Sequence, residues 1–256
     1  MLQTYESGDP RASAILFLHA GGLSGKSWLP VMEALPEFHC LAPDLPEQGS
    51  SRAIPYSIAG CVSEVTNVIR KKAPGQKVHL VALSLGGPVA FVLAGKHPEL
   101  VDHILISGGS GQIPRWMVNL GKSTLWTYRL FSREYLVRAT LREHGIPEQH
   151  TELVHDDLIQ ALDPAFMRHY MDEMAAWQLP ERIEQPLLLA VGEREPKAAR
   201  QFARNYLKRY PHARGLIVPG ARHAWSLQNP ALFADLARAW ISGQALPPEF
   251  KPLQVN

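Results

Sequence analysis

A serine hydroxyl becomes a useful nucleophile only when a turn exposes it and a base lies beside it. Ser84 stands where the first condition is met. Residues 78–91 read Val-His-Leu-Val-Ala-Leu-Ser-Leu-Gly-Gly-Pro-Val-Ala-Phe. The apolar run 78–83 predicts a short buried strand, and a helix follows from Gly86 to about Lys96. A strand, a sharp turn at serine and then a helix is the context of a nucleophile elbow. Such a turn leaves the serine at the strand end and aims the free N–H groups of the helix N-terminus at whatever it attacks. Ala82 and Gly86, two residues before and after, are small enough to let strand and helix approach. A serine before two glycines also reads as an ordinary helix cap, so the rest of the chain has to decide.

A second stretch offers different chemistry. Residues 20–27, Ala-Gly-Gly-Leu-Ser-Gly-Lys-Ser, follow a strand and precede a helix. They fit a relaxed phosphate-binding loop, which makes a P-loop nucleotide-binding protein one reading. Ala20 in place of the first glycine counts against it, as does the bulk of Trp28-Leu29-Pro30 in the first helical turn. Backbone N–H groups in a glycine-rich turn serve an oxyanion equally well.

The elements that would position these residues alternate along the chain. Strands are expected at 2–6 (an edge), 15–19, 38–42, 78–83, 103–106, 186–191 and 216–218. Helices are expected at about 28–35, 57–72, 86–96, 197–209 and 230–241. The 57–72 segment places Ile58, Cys61, Val62, Val65, Val68 and Ile69 at helical spacing. This alternation implies an α/β fold: a mostly parallel central sheet with helices on both faces. Residues 111–180 break it, with no convincing strand and many aromatics. They read as a helical cap insertion between two core segments, 1–110 and 181–256. An insertion after a strand's carboxyl end sits over the edge where such sheets bind ligands. Trp116, Trp126 and Trp177 within it, and Trp28 beside the glycine loop, are candidate substrate-lining residues, although most such aromatics pack the core.

Composition narrows the classes. The 256 residues suffice for one large α/β domain. Hydrophobic residues at 46% and charged residues at 20% describe a soluble globular chain. A formal net charge of +2 is too small to suggest nucleic acid or an anionic membrane as partner. The first apolar run, 14–20, is too short and too late for a signal peptide or a membrane span. Cys40 and Cys61 are expected reduced and buried, which points to the cytoplasm. A monomer or homodimer is the expected state.

Five stretches in order then carry a resemblance. Leu18-His19-Ala20-Gly21-Gly22 is similar to a His-Gly oxyanion segment, with Ala20 replacing glycine. Residues 44–51, Asp-Leu-Pro-Glu-Gln-Gly-Ser-Ser, are similar to an Asp-Leu-Pro-Gly-His-Gly-x-Ser loop, with Glu47 and Gln48 departing. The serine turn, Gly192-Glu193-Arg194-Glu195 and Gly220-Ala221-Arg222-His223 complete the set. The chain resembles the α/β-hydrolase superfamily, of the lipase/esterase-like serine hydrolase type with a helical cap.

That resemblance implies roles. Ser84 is the expected nucleophile and His223 the base, singled out among 11 histidines by its loop and by the chain order Ser, acid, His. The loop after strand 186–191 offers Glu193 and Glu195 as the acid, and the Gly-x-x-Asp spacing lands on Glu195. Residues 107–114, after the other strand sometimes used, hold no carboxylate. Asp102 and Asp235, before a strand and within a helix, are expected to point away. The N–H groups of Gly21 and Leu85 would form the oxyanion hole, and His19 would shape its loop. His144, His150, His155 and His169 lack convincing metal-ligand spacing. The resemblance thus implies a carboxylesterase that forms an acyl-enzyme on a small apolar ester, with no cofactor and no metal. A serine nucleophile argues against a dehalogenase or an epoxide hydrolase. The same triad would serve a C–C bond hydrolase or a thioesterase, and a hydrolase-fold binding protein without turnover is the reading from another class.

Overall fold

The computed structural model describes residues 1–109 and 111–255. Ser110, inside the 107–114 stretch, lies outside the described residues, as does Asn256. The strands are β1 (Thr4–Ser7), β2 (Ala14–Leu18), β3 (His39–Pro43), β4 (Val78–Leu83), β5 (Val101–Ser107), β6 (Leu187–Gly192), β7 (Arg214–Val218) and β8 (Lys251–Pro252). They form one sheet in the order β1-β3-β2-β4-β5-β6-β7-β8. The edge strands β1 and β8 pair antiparallel, and every other pairing is parallel.

Strands β2 and β6 are continuous apolar runs because both faces are covered. In β2, Leu16 and Leu18 join one core while Ile15 and Phe17 join the other. The first core packs beneath α2 (Ile58–Lys72), α3 (Gly86–Lys96) and α8 (Lys197–Arg209). The second packs beneath α1 (Leu29–Met32), α9 (Trp225–Gln228) and α10 (Pro230–Ile241). Each Leu, Ile, Val or Phe buried this way contributes about 1.5–3 kcal/mol. The Ser57 hydroxyl caps α2 by accepting from the Gly60 N–H at 2.9 Å.

Between β5 and β6 the chain forms α4 (Arg115–Thr124), a 3₁₀ segment (Leu125–Leu130), α5 (Arg133–His144), α6 (Thr151–Ala161) and α7 (Pro164–Ala176). Val137 and Val154 of this segment reach the second core, and Met174 reaches the first. Buried polar links reinforce the apolar ones. The Ser24 hydroxyl donates to Asp157 at 2.5 Å, and the Ile58 N–H, in the first turn of α2, donates to Glu173 at 2.7 Å.

Two local expectations differ from the structure. The helix expected at 28–35 is a 3₁₀ turn (Gly25–Trp28) followed by the four residues of α1. The N–H groups of Ala34 and Leu35 close tight i→i+3 turns onto the Val31 and Met32 carbonyls, which ends the helix. The short strand β8 was not expected, since two residues show no alternation to read.

Candidate functional site

The parallel strands deliver their carboxyl ends to one edge, and the loops there hold the residues singled out above. Ser84 follows β4 directly and has φ +52°, a left-handed conformation that costs a side-chain-bearing residue about 1–2 kcal/mol. The Ser84 N–H donates to the Ser107 carbonyl and its carbonyl accepts from the Gly87 N–H, so the turn is held from both sides. Gly86 permits it: a methyl group there would run into the Leu18 carbonyl of β2.

Two other serines near this edge are already engaged. Ser24 bonds Asp157, and the Ser107 hydroxyl accepts from the Trp225 indole N–H at 2.7 Å.

Glu195 follows β6 and is buried. One of its oxygens accepts from the Gly192 N–H at 2.8 Å; the other accepts from His223 Nδ1 at 2.7 Å. His223 therefore carries its proton on Nδ1 and leaves Nε2 as the basic nitrogen. Glu193 turns outward, accepting from the Gly220 N–H at 2.8 Å and from Lys251 at 3.1 Å. These bonds hold its carboxyl below the usual range, with the Gly220 N–H the largest cause. Glu193 thus ties the loop that ends in His223 to the loop that ends in Glu195.

The glycine loop is organised by buried side chains. His19 is fully buried; its Nε2 accepts from the Leu45 N–H at 2.9 Å, which obliges Nδ1 to be the protonated nitrogen, donating to the Ala20 carbonyl. Burial pushes its pKa down to about 4, so the ring is neutral. The Gln48 side chain accepts from the Gly22 N–H at 2.8 Å. Asp44 accepts from the N–H groups of Gly25 and Ser50, both at 2.8 Å. A carboxylate thus takes the Gly25 N–H that a bound phosphate would need, and Lys26 pairs with Asp157 at 3.5 Å. Burial raises the pKa of both Asp44 and Asp157. Gly21 packs against Leu85, and among the described residues neither backbone N–H meets an acceptor.

Ser84 and His223 line two cavities together. One, of about 290 Å³, is walled by Gly21, Leu158, Leu162, Phe166, Met167 and other mainly apolar groups. The other, of about 370 Å³, adds Glu143, Arg194, Glu195 and Arg222. His144 lines both and was missed in the sequence. Its ring centre lies 5.2 Å from that of His223, and burial lowers its pKa, with His223 adding to the effect. Its only sequence signal is its place as the last residue of α5 before Gly145, which is not specific.

The four tryptophans do not line either cavity. Trp28 is buried within the second core, against Phe17 and Phe233, and reaches neither cavity. Trp177 stacks on Phe91 in the first core. Trp116 and Trp126 are 67% and 61% exposed, facing solvent. The lining falls instead to the shorter apolar side chains of α6 and α7. Cys40 and Cys61 are free thiols, both buried. No helix among the described residues is long and apolar enough to cross a membrane.

A parallel sheet with this strand order and a strained serine after its fourth strand defines a class, and comparison with known proteins agrees. The alpha/beta hydrolase family profile matches residues 15–236, and the chain belongs to that family. A superfamily member from Gibberella zeae is 28% identical, covering 96% of this chain and 86% of its own length. A pimeloyl-[acyl-carrier protein] methyl ester esterase from Yersinia enterocolitica is 24% identical, covering 87% of this chain and 90% of its own. Among solved structures, a thermophilic esterase from Thermogutta terrifontis superposes with a TM-score of 0.79 at 18% identity, covering 94% of this chain and 93% of its own. An enol-lactonase from Burkholderia xenovorans gives 0.76 at 17%, covering 94% and 96%.

Proposed function

We propose that this chain is a serine carboxylesterase working through an acyl-enzyme. His223 Nε2 takes the Ser84 proton as the serine oxygen attacks the ester carbonyl. The N–H groups of Gly21 and Leu85 receive the developing oxyanion; a donor of this kind is worth roughly 3–4 kcal/mol. His223 then gives its proton to the departing alkoxide. Glu195 holds the Nδ1–H tautomer and stabilises the imidazolium in both half-reactions. Water repeats the sequence on the acyl-enzyme and frees Ser84.

The observation that carries this reading is the buried Glu195 bonded at 2.7 Å to a histidine that shares a cavity wall with Ser84. The relatives named as esterases support the same bond type. The cavity walls suggest how the substrate divides. The apolar cavity, of about 290 Å³, suits a short acyl chain. The more polar one, flanked by Arg194 and Arg222, suits the leaving alcohol. Residues 111–180 act in this scheme as a fixed lid whose α6 and α7 set acyl length.

Labelling with a fluorophosphonate followed by peptide mapping tests the proposal. The adduct is expected on Ser84. Ser84→Ala should abolish labelling and lower kcat by up to ~10⁶-fold with the fold retained, because triad members act as a unit. An adduct on Ser24 or Ser107 would sink the assignment.

A further inference from the structure

At the opposite end of β4 from Ser84, the sheet gathers three side chains with the makings of a metal site. His79 is the second residue of β4, and Asp102 and His103 are the second and third of β5. Consecutive strand residues normally point to opposite faces, so Asp102 and His103 would not be expected to converge on one neighbour. A register slip makes them do so. Val78 pairs with Val101 but Leu80 pairs with Ile104, leaving two residues of β5 opposite the single residue His79. Bulges of this kind re-aim side chains.

One ligand atom from each residue lies within 4.8 Å of the other two. His103 Nδ1 is 3.4 Å from one Asp102 oxygen, and His79 Nδ1 is 3.9 Å from the other. Both separations are too long for a charge-assisted hydrogen bond, which closes to about 2.7–2.9 Å. The first is near the ~3.3 Å that separates two ligands bound 2.0–2.1 Å from a tetrahedral zinc, and the second would close by about 0.6 Å when the ion binds. Both Nδ1 atoms are buried and without a hydrogen-bond partner among the described residues. His79 itself is 95% buried, at 5% exposure. A buried ring nitrogen aimed at a carboxylate it does not bond is a cost that a shared cation removes.

The surroundings are those of a ligand set. His79 Nε2 lies 2.9 Å from the Ser13 hydroxyl, a partner that fixes the ring with Nδ1 inward. Trp240 packs its ring edge-on against His103, at 88°, and is itself held by the Ile104 carbonyl. Asp102 keeps 48% of its side chain exposed, leaving an entry path and room for a water as fourth ligand.

We propose that His79, Asp102 and His103 bind one divalent transition-metal ion of the zinc type, as a structural clamp between β4 and β5. Two imidazole nitrogens and one carboxylate suit that class better than magnesium or calcium, which favour all-oxygen sites. The ion would lie five residues down β4 from Ser84, ~16 Å at ~3.3 Å per residue, too far to enter the ester chemistry.

The test uses the full chain stripped with chelator and dialysed against zinc, with metal content and thermal midpoint measured. One zinc per chain and an upward shift of the midpoint are expected, since a ligand that binds only the folded state stabilises it. Asp102→Asn and His103→Asn, both at partly exposed positions, should each keep the far-UV spectrum and weaken zinc binding at least ~10-fold. Ester hydrolysis without zinc should be unchanged in both. Failure of the wild-type chain to retain zinc would overturn the proposal. So would equal zinc retention by both variants, which would place the ion elsewhere, for example at the His144–His223 pair.

Discussion

Replacing Glu195 by Gln tests the acid directly, and the structure sets the size of the effect. Glu195 accepts two hydrogen bonds, from the Gly192 N–H at 2.8 Å and from His223 Nδ1–H at 2.7 Å. A glutamine keeps one oxygen and presents an NH₂ in place of the other. If the oxygen faces His223, the NH₂ opposes the Gly192 N–H, and two buried donors meet at a cost of about 1–3 kcal/mol. If the oxygen faces Gly192, the NH₂ faces Nδ1, and His223 must shift its proton to Nε2. The second arrangement satisfies both bonds and so prevails. It puts a donor where Ser84 needs a base. Loss of a triad carboxylate in this way costs ~10³–10⁴ in kcat, or about 4–5.5 kcal/mol at about 1.36 kcal/mol per decade. The assay is steady-state hydrolysis of p-nitrophenyl esters by Glu195→Gln and Glu193→Gln, with thermal midpoints as the control for folding. Glu193→Gln, outside the two cavities, should stay within a few-fold of wild type. Turnover by Glu195→Gln within tenfold of wild type, or a larger loss in Glu193→Gln, would refute the assignment.

Other outcomes follow from the same geometry. Trp116→Ala and Trp126→Ala should leave the chain-length ranking of p-nitrophenyl esters unchanged, while Leu162→Ala and Met167→Ala, on the apolar cavity wall, should shift it toward longer acyl chains by about 1–3 kcal/mol of discrimination. Folding stability should fall on acidification. His19 binds a proton at about 4 when folded and near 6.5 when unfolded, so its contribution is intact above pH 6.5 and lost between pH 6.5 and 4, on the order of 3 kcal/mol. Urea unfolding at pH 7 and pH 4.5 should show a smaller difference for His19→Gln than for wild type. Calorimetry with magnesium and ATP should show no saturable binding, because the Gly25 N–H is taken by Asp44 and the Lys26 ammonium by Asp157.

What could be read in advance was what the chain encodes locally. The strands of the sheet interior were legible because burial on both faces demands unbroken apolar runs, as in Leu187–Gly192. Ser84 and Glu195 could be placed at strand ends because each follows a mainly apolar run, and His223 because it follows the shorter run 216–218. The direction of a side chain on a short helix was not. Trp116 and Val118 lie two residues apart on α4, and Val118 is buried while Trp116 faces solvent. No periodicity within the segment says which face meets the core, and residue size is no guide to orientation. Trp28 follows the glycine loop in sequence, yet the 3₁₀ turn carries it into the second core, against Phe17 and Phe233. The bulge that gathers Asp102 and His103 beside His79 is a property of strand pairing, which exists only between segments.

The departures at Glu47 and Gln48 from the resembled loop have a common physical explanation. Glu47 stands where the similar loops have glycine, and it pays for that with φ +62°, a strain of about 1–2 kcal/mol. Its carboxylate accepts from the Tyr56 N–H at 3.3 Å and reaches His169 Nδ1 on α7 at 3.0 Å. Gln48, where those loops have histidine, turns its oxygen to the Gly22 N–H. Asp157 of α6 holds Ser24, and Glu173 of α7 holds the Ile58 N–H. Three of these four side chains bridge the sheet's loops or the start of α2 to the helical insertion, and the fourth braces the glycine loop on which the insertion rests. None of them contacts Ser84 or His223 by hydrogen bond. A glycine at position 47 would relieve the strain and remove the link to α7 at once. The loop therefore departs where the insertion must be fastened, while Ser84, Gly86 and His223 stand as in the resembled motifs.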